Sequence, residues 1–136
     1  ELPNGIERLA DLEPGGGPVQ AVVAAFRRFP TSSLLVLACD LPRLSEAAVR
    51  LLARPLDAEI DARLPRVEGC PQPLAALYGP GCATVLEASL ATGERSMVRS
   101  LARLRVEWLE IDAQHHPELA CALQDFDTPE DLAGLR

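Results

Sequence analysis

The stretch Leu34-Leu35-Val36-Leu37-Ala38 constrains this chain most. It is an unbroken apolar run bounded by turn signals. It reads as a strand covered on both faces, as in a parallel sheet. Helical patterns flank it. Val19, Val22, Val23 and Phe26 fall at i, i+3, i+4 and i+7, one face of a helix. Pro18 suits the first turn of that helix, where its missing N–H is not needed. Ser45 caps a second helix carrying Val49, Leu52 and Leu56.

Further on, Ala62 to Val67 and Gln72 to Tyr78 read as two short strands around a turn at Glu68-Gly69. Gly81 to Leu90 reads as a helix with Gly93 just past its end. Ser96 caps another, with Met97, Leu101 and Leu104 inward. Val106 to Ile111 is the next strand, and Thr128-Pro129-Glu130-Asp131 is a helix start. Helices alternating with strands predict an α/β class with a mainly parallel sheet. A length of 136 residues argues for one domain.

The longest apolar runs, Leu34–Cys39 and Ala21–Phe26, are far too short for a transmembrane helix, and no signal peptide is visible. The net charge of −7 disfavours a nucleic-acid partner. All 13 cations are arginine. A Walker-type lysine or a Schiff-base lysine is therefore excluded within these residues. Cys39, Cys70, Cys82 and Cys121 form no Cys-x-x-Cys pair, so reduced thiols and a cytoplasmic location are expected.

Asp40 directly follows the apolar strand. Ligands of open α/β sheets bind beyond the carboxyl ends of strands, and a carboxylate there can hold Mg²⁺ against phosphate oxygens. The plain reading is a turn aspartate bonded to its own backbone. Asp125 and Asp127 flank Phe126, and alternation puts both carboxylates on one face. They suit either a cation or the electrostatics of the following helix start. Gly15-Gly16-Gly17 leads into a helix N-terminus, which allows close approach of a nucleotide or is a simple turn. His115-His116 reads as a solvated pair. Trp108 and Tyr78 read as core or pocket wall.

Taken together, five segments resemble the molybdenum-cofactor guanylyltransferases, the MobA-like nucleotidyltransferases. They are Asp11-Leu12-Glu13-Pro14-Gly15-Gly16-Gly17-Pro18, then Ala38-Cys39-Asp40-Leu41-Pro42-Arg43-Leu44-Ser45, then Gln72-Pro73-Leu74-Ala75-Ala76-Leu77-Tyr78, then Gly93-Glu94-Arg95-Ser96, and finally Asp125-Phe126-Asp127-Thr128-Pro129-Glu130-Asp131-Leu132. They occur in family order and cover nearly the whole chain.

The resemblance implies a three-layer, Rossmann-like sandwich. It implies Mg²⁺-dependent transfer of a nucleoside monophosphate, GMP first, from GTP or CTP to the phosphate of molybdopterin, with release of pyrophosphate. By the same resemblance Asp40 holds the metal and acts in catalysis with Asp125 and Asp127. Asp11, Gly15, Gly17 and Pro18 contact the nucleotide. Gln72, Pro73, Leu74 and Arg95 face the acceptor. Other molybdenum-cofactor biosynthesis proteins are the implied protein partners.

The family's first strand and its glycine-rich loop with arginine and lysine have no counterpart in these residues. A truncated domain, inactive by itself, is therefore expected. Ala21 stands where the family carries glycine, and Asp127 where its guanylyltransferases usually carry asparagine. The alternatives are transfer to another small phosphorylated acceptor, or a non-catalytic fragment or assembly domain of the same fold.

Overall fold

A computed structural model describes residues 5–10, 12 and 15–123. Helix α1 spans Gly17–Arg28 and buries Val19, Val22, Val23 and Phe26, the expected stripe. Pro18 sits in its first turn, and Arg27 and Arg28 face the negative end of its dipole. Strand β1 is Leu34–Leu37. Helix α2, Glu46–Leu52, starts where Ser45 Oγ accepts the Ala48 N–H at 3.2 Å.

Strand β2 is Ala62–Val67, and β3 and β4 are Cys70–Pro71 and Ala75–Tyr78. Glu68 and Gly69 join β2 to β3 with φ of +48° and +80°, a turn whose twist matches a tight hairpin. Helix α3, Cys82–Ala91, is followed by Gly93 at φ +79°. Helix α4, Met97–Ser100, is capped by Ser96 and runs into a short 3₁₀ turn over Leu101–Arg103. Strand β5 is Val106–Ile111. Helix α5 is Pro117–Ala122, a segment to which the sequence reading assigned no element. Asp112 organises its approach by accepting the Gln114 N–H at 2.6 Å and meeting His115 Nδ1 at 2.5 Å.

The architecture is an α/β sandwich with two cores. On one face of the sheet, Val19, Val23 and Phe26 of α1 meet Leu86 of α3, Met97 of α4 and Leu64 and Tyr78 of the sheet. On the other, Ala48 and Leu52 of α2 meet Ala120 of α5 and Ala75 and Ile111 of the sheet. Leu34 and Val36 point into the first core and Leu35 into the second. This is the pleat's two-residue period.

The sheet corrects the expectation of mainly parallel pairing. β4 lies between β1 and β2 and is antiparallel to both, and β3 is antiparallel to β2; among the described residues only β2 and β5 pair in parallel. β1, β2 and β5 nevertheless run in one direction, as the pairings require. The hairpin strand returning from Glu68-Gly69 is inserted among them. β1 is also less covered than expected. Its residues are half-buried and Leu37 is 38% exposed, because only β4 pairs with it among the described residues.

Candidate functional site

β1 ends at Leu37, and the chain then turns outward. Leu41 is buried in the second core and Leu44 N donates to Leu41 O at 3.1 Å, so the loop is pinned from below. Asp40, one residue earlier, is exposed at the carboxyl end of the strand. Among the described residues no hydrogen bond or ion pair engages its carboxylate. It opens on a cleft of about 480 Å³ whose opposite wall is the segment from Cys70 to Ala75. Gln72, Pro73 and Leu74 therefore share a cleft with Asp40.

That wall is a bulge with a local cause. Arg63 pairs with Leu77 and Arg66 with Pro71, so two residues of β2, Leu64 and Pro65, face five residues from Gln72 to Ala76. Pro65 has no N–H to give a ladder, which favours such an irregularity inside a sheet. Its carbonyl still accepts the Gln72 N–H at 2.9 Å. Ala75 N donates to Gln72 O at 3.1 Å, and Ala38 N donates to Leu74 O at 2.7 Å. The last bond ties the bulge to the exit of β1. Tyr78 OH donates to Pro73 O at 2.6 Å. Burial pushes the Tyr78 phenol well above its ordinary pKa, so it stays protonated.

The glycine loop forms a second cleft, also about 480 Å³, between α1 and α3. Gly15 and Gly17 have φ of +73°, and Gly16 between them is right-handed. Alternation of this kind makes consecutive N–H groups converge on an anion-sized hollow. No side chain caps the start of α1. Gly16 is buried under Gln20: a Cβ there would lie 1.8 Å from Gln20 Oε1. Arg95 Nη1 donates to Gly15 O at 3.2 Å. Glu94 holds the same turn, accepting the Ser96 N–H at 2.7 Å and pairing with Arg99 at 2.8 Å.

The expected site residues thus fall into two groups. Asp40 stands with Gln72, Pro73 and Leu74. Gly15, Gly17 and Pro18 stand at the start of α1, and Arg95 joins them rather than Gln72–Leu74. Asp11, Asp125 and Asp127 lie outside the described residues, as does the helix start at Thr128. Cys70 lines the Asp40 cleft, and nothing in its sequence context pointed there. Tyr78 had one signal: a buried phenol needs a partner for its O–H.

Among the described residues no group of three or more His, Cys, Asp or Glu could enclose a metal ion. Asp40 alone is nevertheless suited to Mg²⁺, which takes one or two carboxylates and completes its shell with substrate phosphates and water. The residue is exposed, and among the described residues no cation pairs with its carboxylate. No described helix is long and apolar enough to cross a membrane.

The profile of the MobA-like NTP transferase domain matches residues 2–106. A Bacillus licheniformis protein named "probable molybdenum cofactor guanylyltransferase" is 34% identical over 107 residues, 77% of this chain and 55% of its own length. The molybdenum cofactor guanylyltransferase of Pseudomonas putida KT2440 is 33% identical, across 85% of this chain and 58% of its own length. The crystal structure of molybdopterin-guanine dinucleotide biosynthesis protein A from Archaeoglobus fulgidus superposes with a TM-score of 0.75 at 30% identity, covering 91% of this chain and 63% of that one. The chain spans between about half and two thirds of the length of these relatives. With its family profile matched over most of its residues, this chain belongs to the MobA-like NTP transferase domain family.

Proposed function

We propose that this protein transfers GMP from GTP to the phosphate of molybdopterin and releases pyrophosphate. The observation that carries the reading is the shared cleft of Asp40 and Gln72–Leu74 in a chain of this family. An oxygen of the acceptor phosphate attacks the α-phosphorus of the nucleotide. One P–O bond forms there, the bond to the β-phosphate bridging oxygen breaks, and pyrophosphate leaves with that electron pair. Such a reaction asks little covalent work of the protein and much positioning and charge compensation.

Each group of residues then has a task. Backbone N–H groups at Gly16, Gly17 and the first turn of α1 hold an anionic part of the nucleotide, and Arg95 orders that loop. Asp11 belongs to the same nucleotide set by its motif. Gln72, Pro73 and Leu74 seat the acceptor across from Asp40. Asp125 and Asp127 act near the acceptor phosphate in this reading. Mg²⁺ on Asp40, when bound, supplies charge neutralisation of the triphosphate.

The test uses the protein from its complete reading frame, with Mg²⁺ and molybdopterin, and follows pyrophosphate release. Release with GTP is expected. Release with CTP alone reassigns the base, and release only with another small phosphorylated acceptor, such as phospholactate, reassigns the substrate. No release with any of them leaves the non-catalytic assembly domain as the correct reading.

A further inference from the structure

Tyr78 is wholly buried in the first core, yet its hydroxyl reaches out of that core to Pro73 O at 2.6 Å. Pro73 is in the middle of the bulge that walls the Asp40 cleft. The next carbonyl, Leu74 O, accepts the Ala38 N–H at 2.7 Å. Ala38 is two residues before Asp40. Two consecutive carbonyls are thus held, one by a side chain of the core and one by the backbone that carries the carboxylate. A third bond, Gln72 N to Pro65 O at 2.9 Å, fixes the bulge's outer end. Every main-chain anchor of Gln72–Leu74 is ordinary sheet or turn bonding. Among the described residues the tyrosine is the one side chain in the set, and burial, which raises its pKa, keeps it a donor.

We propose that Tyr78 is a positioning residue whose hydroxyl, acting through Pro73 O, sets the place of the Gln72–Leu74 bulge relative to Asp40 and so governs acceptor affinity without governing nucleotide affinity. The proposal rests on the acceptor reading of that cleft. Tyr78→Phe removes the hydroxyl and keeps the ring in the core it shares with Leu64 and Leu86. The buried ring therefore holds the fold, and Pro73 O is left without its donor.

The experiment compares wild type and Tyr78→Phe in two measurements. The first is amide hydrogen exchange at Ala38 without any ligand; the variant is expected to exchange about tenfold faster, since opening the bulge becomes easier. The second is steady-state kinetics with each substrate varied; KM for the acceptor is expected to rise about tenfold while KM for GTP stays within about twofold. Equal rises in both KM values, a fall in kcat alone, or unchanged exchange at Ala38 overturns the proposal. A wild-type protein that transfers nothing to any phosphate overturns the acceptor reading and, with it, the affinity role. The exchange rate at Ala38 then still shows separately whether the hydroxyl holds the bulge.

Discussion

Arg63 of β2 and Glu107 of β5 sit directly opposite each other in the parallel pair, and Arg63 Nε donates to Glu107 Oε2 at 2.7 Å. The two ends of this bridge are unlike: the arginine side chain is 5% exposed and the glutamate 34%. The rest of the guanidinium is spent on the end of α2. It donates to Leu52 O at 3.4 Å, to Pro55 O at 3.2 Å and to Arg54 O. One side chain therefore ties the helix of the second layer to two strands, and α2 follows directly on the Asp40 loop.

Arg63→Met is expected to lower unfolding free energy by about 3 kcal/mol, because it leaves three carbonyls and a partly buried carboxylate without their donor. Glu107→Gln keeps a hydrogen-bond acceptor and should cost only about 1 kcal/mol. Urea unfolding of the two variants measures both. Equal losses would mean that the ion pair, not the cap on α2, carries the energy.

Asp40→Ala should abolish metal-dependent transfer while leaving the fold intact. The residue is exposed and its side chain engages no other described residue, so no bond to the described fold is lost. A fall of at least about a hundredfold in kcat is the scale expected when a charge-compensating group is removed. Unchanged turnover, or a thermal midpoint that drops with the activity, would remove Asp40 from the metal role.

Gly15→Ala and Gly16→Ala separate two kinds of constraint. Gly15 has open space around its Cβ position and only a positive φ to oppose a side chain, so about 1 kcal/mol is expected. Gly16 has an ordinary φ, but its Cβ position collides with the buried Gln20 amide. Displacing that amide should cost more, about 2 kcal/mol, and should loosen the start of α1. Thermal unfolding and amide exchange in α1 check both the order and the site.

Asp61 gives a pH signature. Its carboxylate accepts from Arg105 N at 2.8 Å, from Arg105 Nε at 3.2 Å and from Arg105 Nη2 at 3.1 Å. The Arg105 side chain first, then its backbone N–H, lower the Asp61 pKa below its usual 3.8. In the interval between the two values the unfolded chain binds more protons than the folded one. The stabilisation is therefore present above pH about 4 and is lost as pH falls through the lower, folded value. Asp61→Asn should flatten the stability curve in that acid window and leave the curve's shape near neutrality unchanged. Denaturant titrations from pH 7 to 2 test this; parallel curves for both proteins would refute it.

The amino-acid sequence by itself determined what depends on near neighbours. The stripe Val19, Val22, Val23 and Phe26 specified α1 and its buried face. Ser45 and Ser96 marked helix starts and Gly93 a helix end. Glu68-Gly69 marked the hairpin, and Val106–Ile111 and Ala62–Val67 emerged with the expected bounds. Caps, turns and side-chain periods act over a few residues, so they are readable locally. Motif resemblance added which segments belong to a nucleotidyltransferase, and the Gln72–Tyr78 strand among them emerged broken into a bulge and β4.

Only the tertiary structure decided the partners. Apolar alternation does not say which strand lies beside which. Inserting β4 between β1 and β2 turned an expected parallel sheet into one whose bonded pairs are mostly antiparallel. The same insertion set Gln72–Leu74 against the exit of β1, creating the Asp40 cleft, while the packing of α1 beside α3 placed Arg95 with the glycine loop. Pairing is a contest among distant segments settled by the whole core at once. The burial of Arg63 and the reach of Tyr78 to Pro73 follow from that packing, not from the residues beside them.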